Sequence, residues 1–149
     1  MAPSRVPAVL DALVARFTTA LPSTPVMDGP QVTDDVLLDV VHVGWDGDDD
    51  GLAAETTQEW SGLGGAHKTE QILITCAIVC WDGRTSARAV RQRAYALFAA
   101  VEAALRSNPG LGLPPPTIAA ITTGRLHQEQ TDDGALARLP FTVAITTRI

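Results

Sequence analysis

The sequence predicts an α+β domain, a mainly antiparallel sheet with two helices packed on one face and a long hairpin arm. Three observations predict it. Residues 4–21 and 86–108 carry apolar side chains at the 3, 4, 7 spacing of one helical face. The strand-like runs around them are joined by short turns, which favours antiparallel pairing. A glycine-rich stretch, Gly62-Leu63-Gly64-Gly65-Ala66, separates two of those runs. The 149 residues read as one domain, 1–149. A domain of this size buries about 70% of the surface its unfolded chain exposes.

The elements follow in order. In the first helix Val6, Val9, Leu10, Leu13, Val14, Phe17 and Leu21 share a face. Ser4 is the expected cap, Pro7 falls in the first turn where its missing N–H does no harm, and Pro22 ends the helix. Residues 24–34 read as turn, around Asp28-Gly29-Pro30. Residues 36–45 read as a strand. Leu37, Asp39, Val41, Val43 and Trp45 lie on one face and Leu38, Val40 and His42 on the other, a pattern for a strand covered on both sides. An acidic turn, 46–51, leads to a weaker strand over 55–63, whose partner is the strongest strand, 68–81. Ile72, Ile74, Cys76, Ile78 and Cys80 line one face of that strand.

Asp82-Gly83 closes it, and Ser86 or Thr85 caps the second helix. Val90, Ala94, Leu97, Phe98, Val101 and Leu105 form its apolar stripe, and Asn108-Pro109-Gly110 stops it. Residues 113–117 carry three prolines and form a stiff connector. The end reads as a second hairpin, with arms 118–130 and 137–149 about a turn at 131–134. Leu139, Phe141, Val143 and Ile145 alternate there with polar or small residues.

Composition narrows the function classes. The net charge is −6 and the pI about 4.8, which argues against a tightly gripped nucleic acid. Lys68 is the only lysine, against ten arginines, a sign of a GC-rich source rather than of a function. Cys76 and Cys80 lie four apart in a strand. Their α-carbons are then roughly 13 Å apart, too far for a disulfide, so free thiols in a reducing compartment are expected. Arg5, Asp11 and Arg16 interrupt the N-terminal segment, so no signal peptide is expected. The apolar run 72–81 is short. A membrane span needs roughly 20 residues.

Tests for chemistry mostly fail. Asp46-Gly47-Asp48-Asp49-Asp50-Gly51 matches the first half of a calcium loop, but position 12 is Thr57 where a bidentate Glu is required. The reading is a solvated turn. His42, His67 and His127 fall in different elements without zinc spacing. Burial disfavours a thiolate at Cys76 or Cys80. Gly62–Gly65 lacks the Lys-Ser or Lys-Thr of a phosphate loop. No catalytic, cofactor or metal site is expected, and the chain is read as no enzyme.

Two features remain. Arg88, Arg91, Tyr95 and Arg106 fall along one helical stripe bordering the apolar face, and Arg84 extends it. Arginine near a helix N-terminus opposes the macrodipole, so helix stability does not account for Arg88 and Arg91. The stripe is either a solvated face or a subunit interface meeting an acidic surface. Gly62, Leu63, Gly64 and Gly65 form either an ordinary loop or an arm that reaches a neighbour or a tube.

The whole pattern resembles the tail terminator proteins of long-tailed phages, the group that includes the lambda minor tail protein U. The similar stretches are Val26-Met27-Asp28-Gly29-Pro30-Gln31-Val32, Val41-His42-Val43-Gly44-Trp45, Thr69-Glu70-Gln71-Ile72, Trp81-Asp82-Gly83, Ser86-Ala87-Arg88, Leu111-Gly112 and Leu139-Pro140-Phe141-Thr142-Val143. The likeness spans nearly the whole chain and rests on element order, except over 53–68. It implies a structural virion protein, assembled in the host cytoplasm and placed at the head-proximal end of the tail. Such proteins form a ring, commonly a hexamer, that caps the tail tube, ends its polymerisation and joins it to the head-side connector. DNA passes the lumen without specific binding, and no membrane or cofactor is involved. The alternatives are another head-tail joining or tail completion protein, or a small bacterial domain that binds a ligand between sheet and helix.

Overall fold

The computed structural model describes residues 2–30, 38–48, 50–84 and 86–149. Val36, Leu37, Asp49 and Thr85, and the 31–34 part of the expected turn, lie outside the described residues. The described residues form α1 (Val6–Ala20), β1 (Val26–Asp28), β2 (Asp39–Val43), β3 (Ala54–Trp60), β4 (Lys68–Asp82), α2 (Ala87–Ser107), β5 (Thr117–Gly124), β6 (His127–Thr131) and β7 (Gly134–Arg148). The class is α+β, as the sequence predicts.

One sheet holds all seven strands. Its centre is the antiparallel pair β4–β7, each strand 15 residues long and in register from Thr69↔Arg148 to Asp82↔Ala135. Two short strands in tandem flank each side. Beside β4 run β2 and β3; beside β7 run β5 and β6. Both helices cover the same face. The rings of Phe17 on α1 and Phe98 on α2 both pack on Phe141 of β7. Ile72, Ile74, Cys76, Ile78 and Cys80 of β4 and Leu139, Phe141, Val143 and Ile145 of β7 are buried beneath them, matching the alternation read from the sequence.

Several boundaries differ from expectation for physical reasons. Ser4 does not occupy the N-cap position of α1; Arg5 does, without a side-chain cap. The Ser4 hydroxyl accepts the Val6 N–H but donates to Glu70, which draws it out of the capping role. The region expected to be turn contains β1, which pairs parallel to β2, so the sheet is not purely antiparallel. At Gly44, φ is +81°, a conformation that suits glycine, and β2 ends before it. Trp45 therefore does not share the Val41 and Val43 face; its ring packs edge-on against His42, centroids 4.5 Å apart. The strand expected over 55–63 stops at Trp60, ahead of Gly62 with φ +142°. Ser86 caps α2 as expected, accepting the Ala89 N–H at 3.2 Å.

The arm expected over 118–130 is two strands. Pro140 explains the break. Its carbonyl accepts the Arg125 N–H, so the missing N–H of Pro140 lies on that same side of β7 and the ladder cannot continue there. The final turn is also tighter than expected, since β6 runs to Thr131 and β7 starts at Gly134.

Candidate functional site

The two features singled out in the sequence lie at opposite ends of β4. That strand spans about 46 Å at roughly 3.3 Å per residue. At its first residue the β3–β4 hairpin projects. The ladder runs from Ala54↔Ile74 to Trp60↔Lys68, and the Ser61 N–H closes on the His67 carbonyl at 3.0 Å. Lys68 exchanges backbone hydrogen bonds with Ile149, the last rung on the β7 side. Residues 61–67 beyond it are all exposed, and Gly62, Leu63, Gly64 and Gly65 form the tip. Leu63 is fully exposed and Trp60 is 65% exposed. The Trp60 ring lies 5.0 Å below the Lys68 ammonium, within cation–π reach. Among the described residues β3 pairs only with β4, so its outer edge carries none of these strands.

At the other end α2 begins. Arg84, Arg88 and Arg91 are exposed there. Arg84 lies 3.7 Å from Asp82, and Arg91 donates to the Gln128 side-chain oxygen at 3.0 Å while Gln128 donates to the Ala87 carbonyl. Arg88 makes no ion pair among the described residues. The stripe is thus not one patch. Arg106 lies about 27 Å beyond Arg88 along the helix, at roughly 1.5 Å per residue. It pairs instead with Glu102, one turn earlier on the same helix, at 2.6 Å. The structure brings three of the four arginines to one end and leaves Arg106 out.

Two polar clusters escaped the sequence reading. Arg93 donates to Asp39 at 2.7 Å, to Asp82 at 3.1 Å and to the Trp81 carbonyl at 2.8 Å, fixing the start of α2 to the sheet. Its bond to Asp39 holds the guanidinium pKa above the usual value. The Arg84 backbone N–H and the nearby arginines hold the Asp82 carboxyl below its usual range. Glu70 is buried at the opposite end and accepts from Ser4, the Arg5 N–H, Thr56 and Gln58. Both had a signal. Asp39 and Glu70 are acids on faces otherwise read as apolar, and a buried carboxylate needs partners.

The remaining titratable groups are structural in character. Burial pushes the Cys76 and Cys80 thiols up to about 12, so neither is a thiolate near neutrality. Burial also lowers the His42 pKa, against its contact with the Gly29 carbonyl at 2.9 Å. In the acidic turn the Asp46 and Asp48 carboxylates accept the N–H groups of Asp48 and Asp50, and strands flank it. No cluster of three His, Cys, Asp or Glu poised for a metal occurs among the described residues. No helix among them is long and apolar enough to cross a membrane. Compared with known proteins, the chain matches no family model and no curated protein.

Proposed function

We propose that the protein is a structural virion component that closes a phage tail tube as a ring and joins it to the head-side connector. The observation that carries this reading is the placement of arm and arginines at opposite ends of one rigid strand pair. A copy whose arm meets the arginine end of the next copy associates head to tail, and such heterologous contacts close into rings when the rotation permits. The edge of β3 that the described strands leave uncovered also supports it, because an exposed edge is a hazard unless a neighbour pairs it. Glu55 and Glu59 on that strand give an acidic surface of the sign that Arg84, Arg88 and Arg91 would meet. The net charge of −6 suits a lumen that DNA slides through, since phosphate contacts supply most non-specific affinity.

The deciding experiment adds the protein to polymerising tail-tube subunits. Tubes of limited length, each with one cap, are expected; tubes that grow as without it would overturn the reading. Reversal of Arg88 and Arg91 to Glu is expected to abolish ring formation in sedimentation while leaving the folded monomer intact. Unchanged assembly would remove the arginines from the interface.

A further inference from the structure

The sheet face that the helices leave uncovered is not flat. Between Gly44 and Ala53, which both hydrogen-bond to the Thr75 backbone of β4, the chain departs from the sheet, and its Asp46–Asp48 part rests on Arg138 of β7. The Arg138 guanidinium donates to the Asp46 carbonyl at 2.7 Å, and a Cβ on Gly47 would stand 2.6 Å from the Arg138 Cδ, so the contact is close. A recess of about 380 Å³ opens beside it, at the lower end of the range for ligand sites. Thr75, Thr142 and Thr123, direct cross-strand neighbours on β4, β7 and β5, contribute to its lining. Arg125, at the break between β5 and β6, joins Arg138 and its cross-strand neighbour His127 around it.

The charges in this recess are not internally matched. Neither Arg125 nor Arg138 forms an ion pair among the described residues. The two acids on the rim, Asp46 and Asp48, each accept a backbone N–H of their own loop instead. Each keeps an oxygen that takes no part in those bonds. Two guanidinium forks with hydroxyl donors nearby suit an oxyanion, because the fork matches carboxylate geometry with two parallel hydrogen bonds. An acidic rim disfavours a chain of phosphates and tolerates a single negative charge next to N–H groups or a basic side chain. The geometry points to a docking site for a carboxylate-bearing peptide segment of a partner protein. Arg125 and Arg138 hold its carboxylate, and Asp46 and Asp48 take its amide or ammonium hydrogens. This site is separate from the arm and from the arginine end of α2, and it stands without ring formation.

The test uses the full chain and three probes followed by NMR: the capped peptide acetyl-Ala-Glu-Ala-Lys-amide, its Gln counterpart, and a ten-nucleotide oligothymidylate. The Glu peptide is expected to shift the signals of Thr75, Thr123, Thr142 and His127 saturably in the millimolar range. The Gln peptide and the Arg125→Ala variant are each expected to weaken binding roughly tenfold, the loss of one charge-assisted pair. The Arg125 side chain forms no hydrogen bond or ion pair among the described residues, so this variant keeps the native spectrum elsewhere; Arg138→Ala also loosens the loop and serves as a second reading. Equal binding of the Gln peptide, absence of saturation, an unaffected Arg125→Ala variant, or tighter binding of the oligonucleotide would each overturn the proposal.

Discussion

The two faces of β4 and β7 share one backbone and one hydrogen-bond ladder, yet they meet different surroundings. On the covered face, alternate residues from Glu70 to Cys80 are buried under α1 and α2. On the open face, Leu73 is 43% exposed and Thr75 and Thr142 line the recess. The difference lies in side chains and cover, so at open-face positions such as Leu73 recognition is separable from stability, whereas further along the same face Ala77 and its neighbour His42 are buried. Phe141→Ala tests this most severely. It removes a ring packed on both Phe17 and Phe98 and should cost about 3–5 kcal/mol in urea unfolding. Leu73→Ala, on the opposite face, should cost less than about 1 kcal/mol. Equal losses would erase the distinction.

Glu70 sharpens the comparison, because it is a charge on the covered face. Burial raises its pKa, but hydrogen bonds from Ser4, the Arg5 N–H, Thr56 and Gln58 together lower it further, and the net value falls below 4.5. A folded-state pKa below the unfolded one means that the unfolded chain binds more protons in that window. The carboxylate therefore stabilises the fold above the unfolded value, and this contribution fades as pH falls toward the folded one. Glu70→Ala should cost about 2–4 kcal/mol near neutrality by leaving donors unpaired. The stability gap between the native chain and Glu70→Gln should narrow below pH 4.5. A gap independent of pH would mean that the ionised form does not matter.

Arg93 comes next in size. Arg93→Ala frees Asp39, Asp82 and the Trp81 carbonyl. It should cost about 1–3 kcal/mol, whereas Arg88→Ala on the same helix should change stability by less than about 0.5 kcal/mol. This contrast also shows what was legible in the sequence. Period-2 and period-3.6 patterning placed β4, β7 and both helices, because burial imposes those periods directly. Patterning did not place β1, a short strand whose character comes from pairing with β2. It also treated 118–130 as one arm, although Pro140 on the neighbouring strand carried the reason for the break. The arginine stripe was drawn from angle alone, and the helical rise from Arg88 to Arg106 separates what an angular projection superposes. The recess was invisible, since Arg125, Arg138 and Thr75 become neighbours only through strand register.

The smallest expected effect on stability belongs to the arm tip, where function and fold are furthest apart. Leu63 touches nothing that its burial could reward, as it is fully exposed beyond the last rung of the β4–β7 ladder. Leu63→Ser should leave the unfolding free energy unchanged within about 0.5 kcal/mol. Deleting residues 61–66 leaves His67 alone between the paired Trp60 and Lys68, shorter than a two-residue hairpin turn, so the outermost rungs of the arm should open while the β4–β7 ladder stays intact. If the tip contacts a neighbour or the tube, both changes should still reduce capping in the tube-length measurement, since Leu63 and Trp60 are exposed apolar side chains available to another chain. Intact rings that cap tubes normally without residues 61–66 would return the tip to an ordinary loop, and leave the outer edge of β3 and the arginine end of α2 as the surfaces through which copies meet.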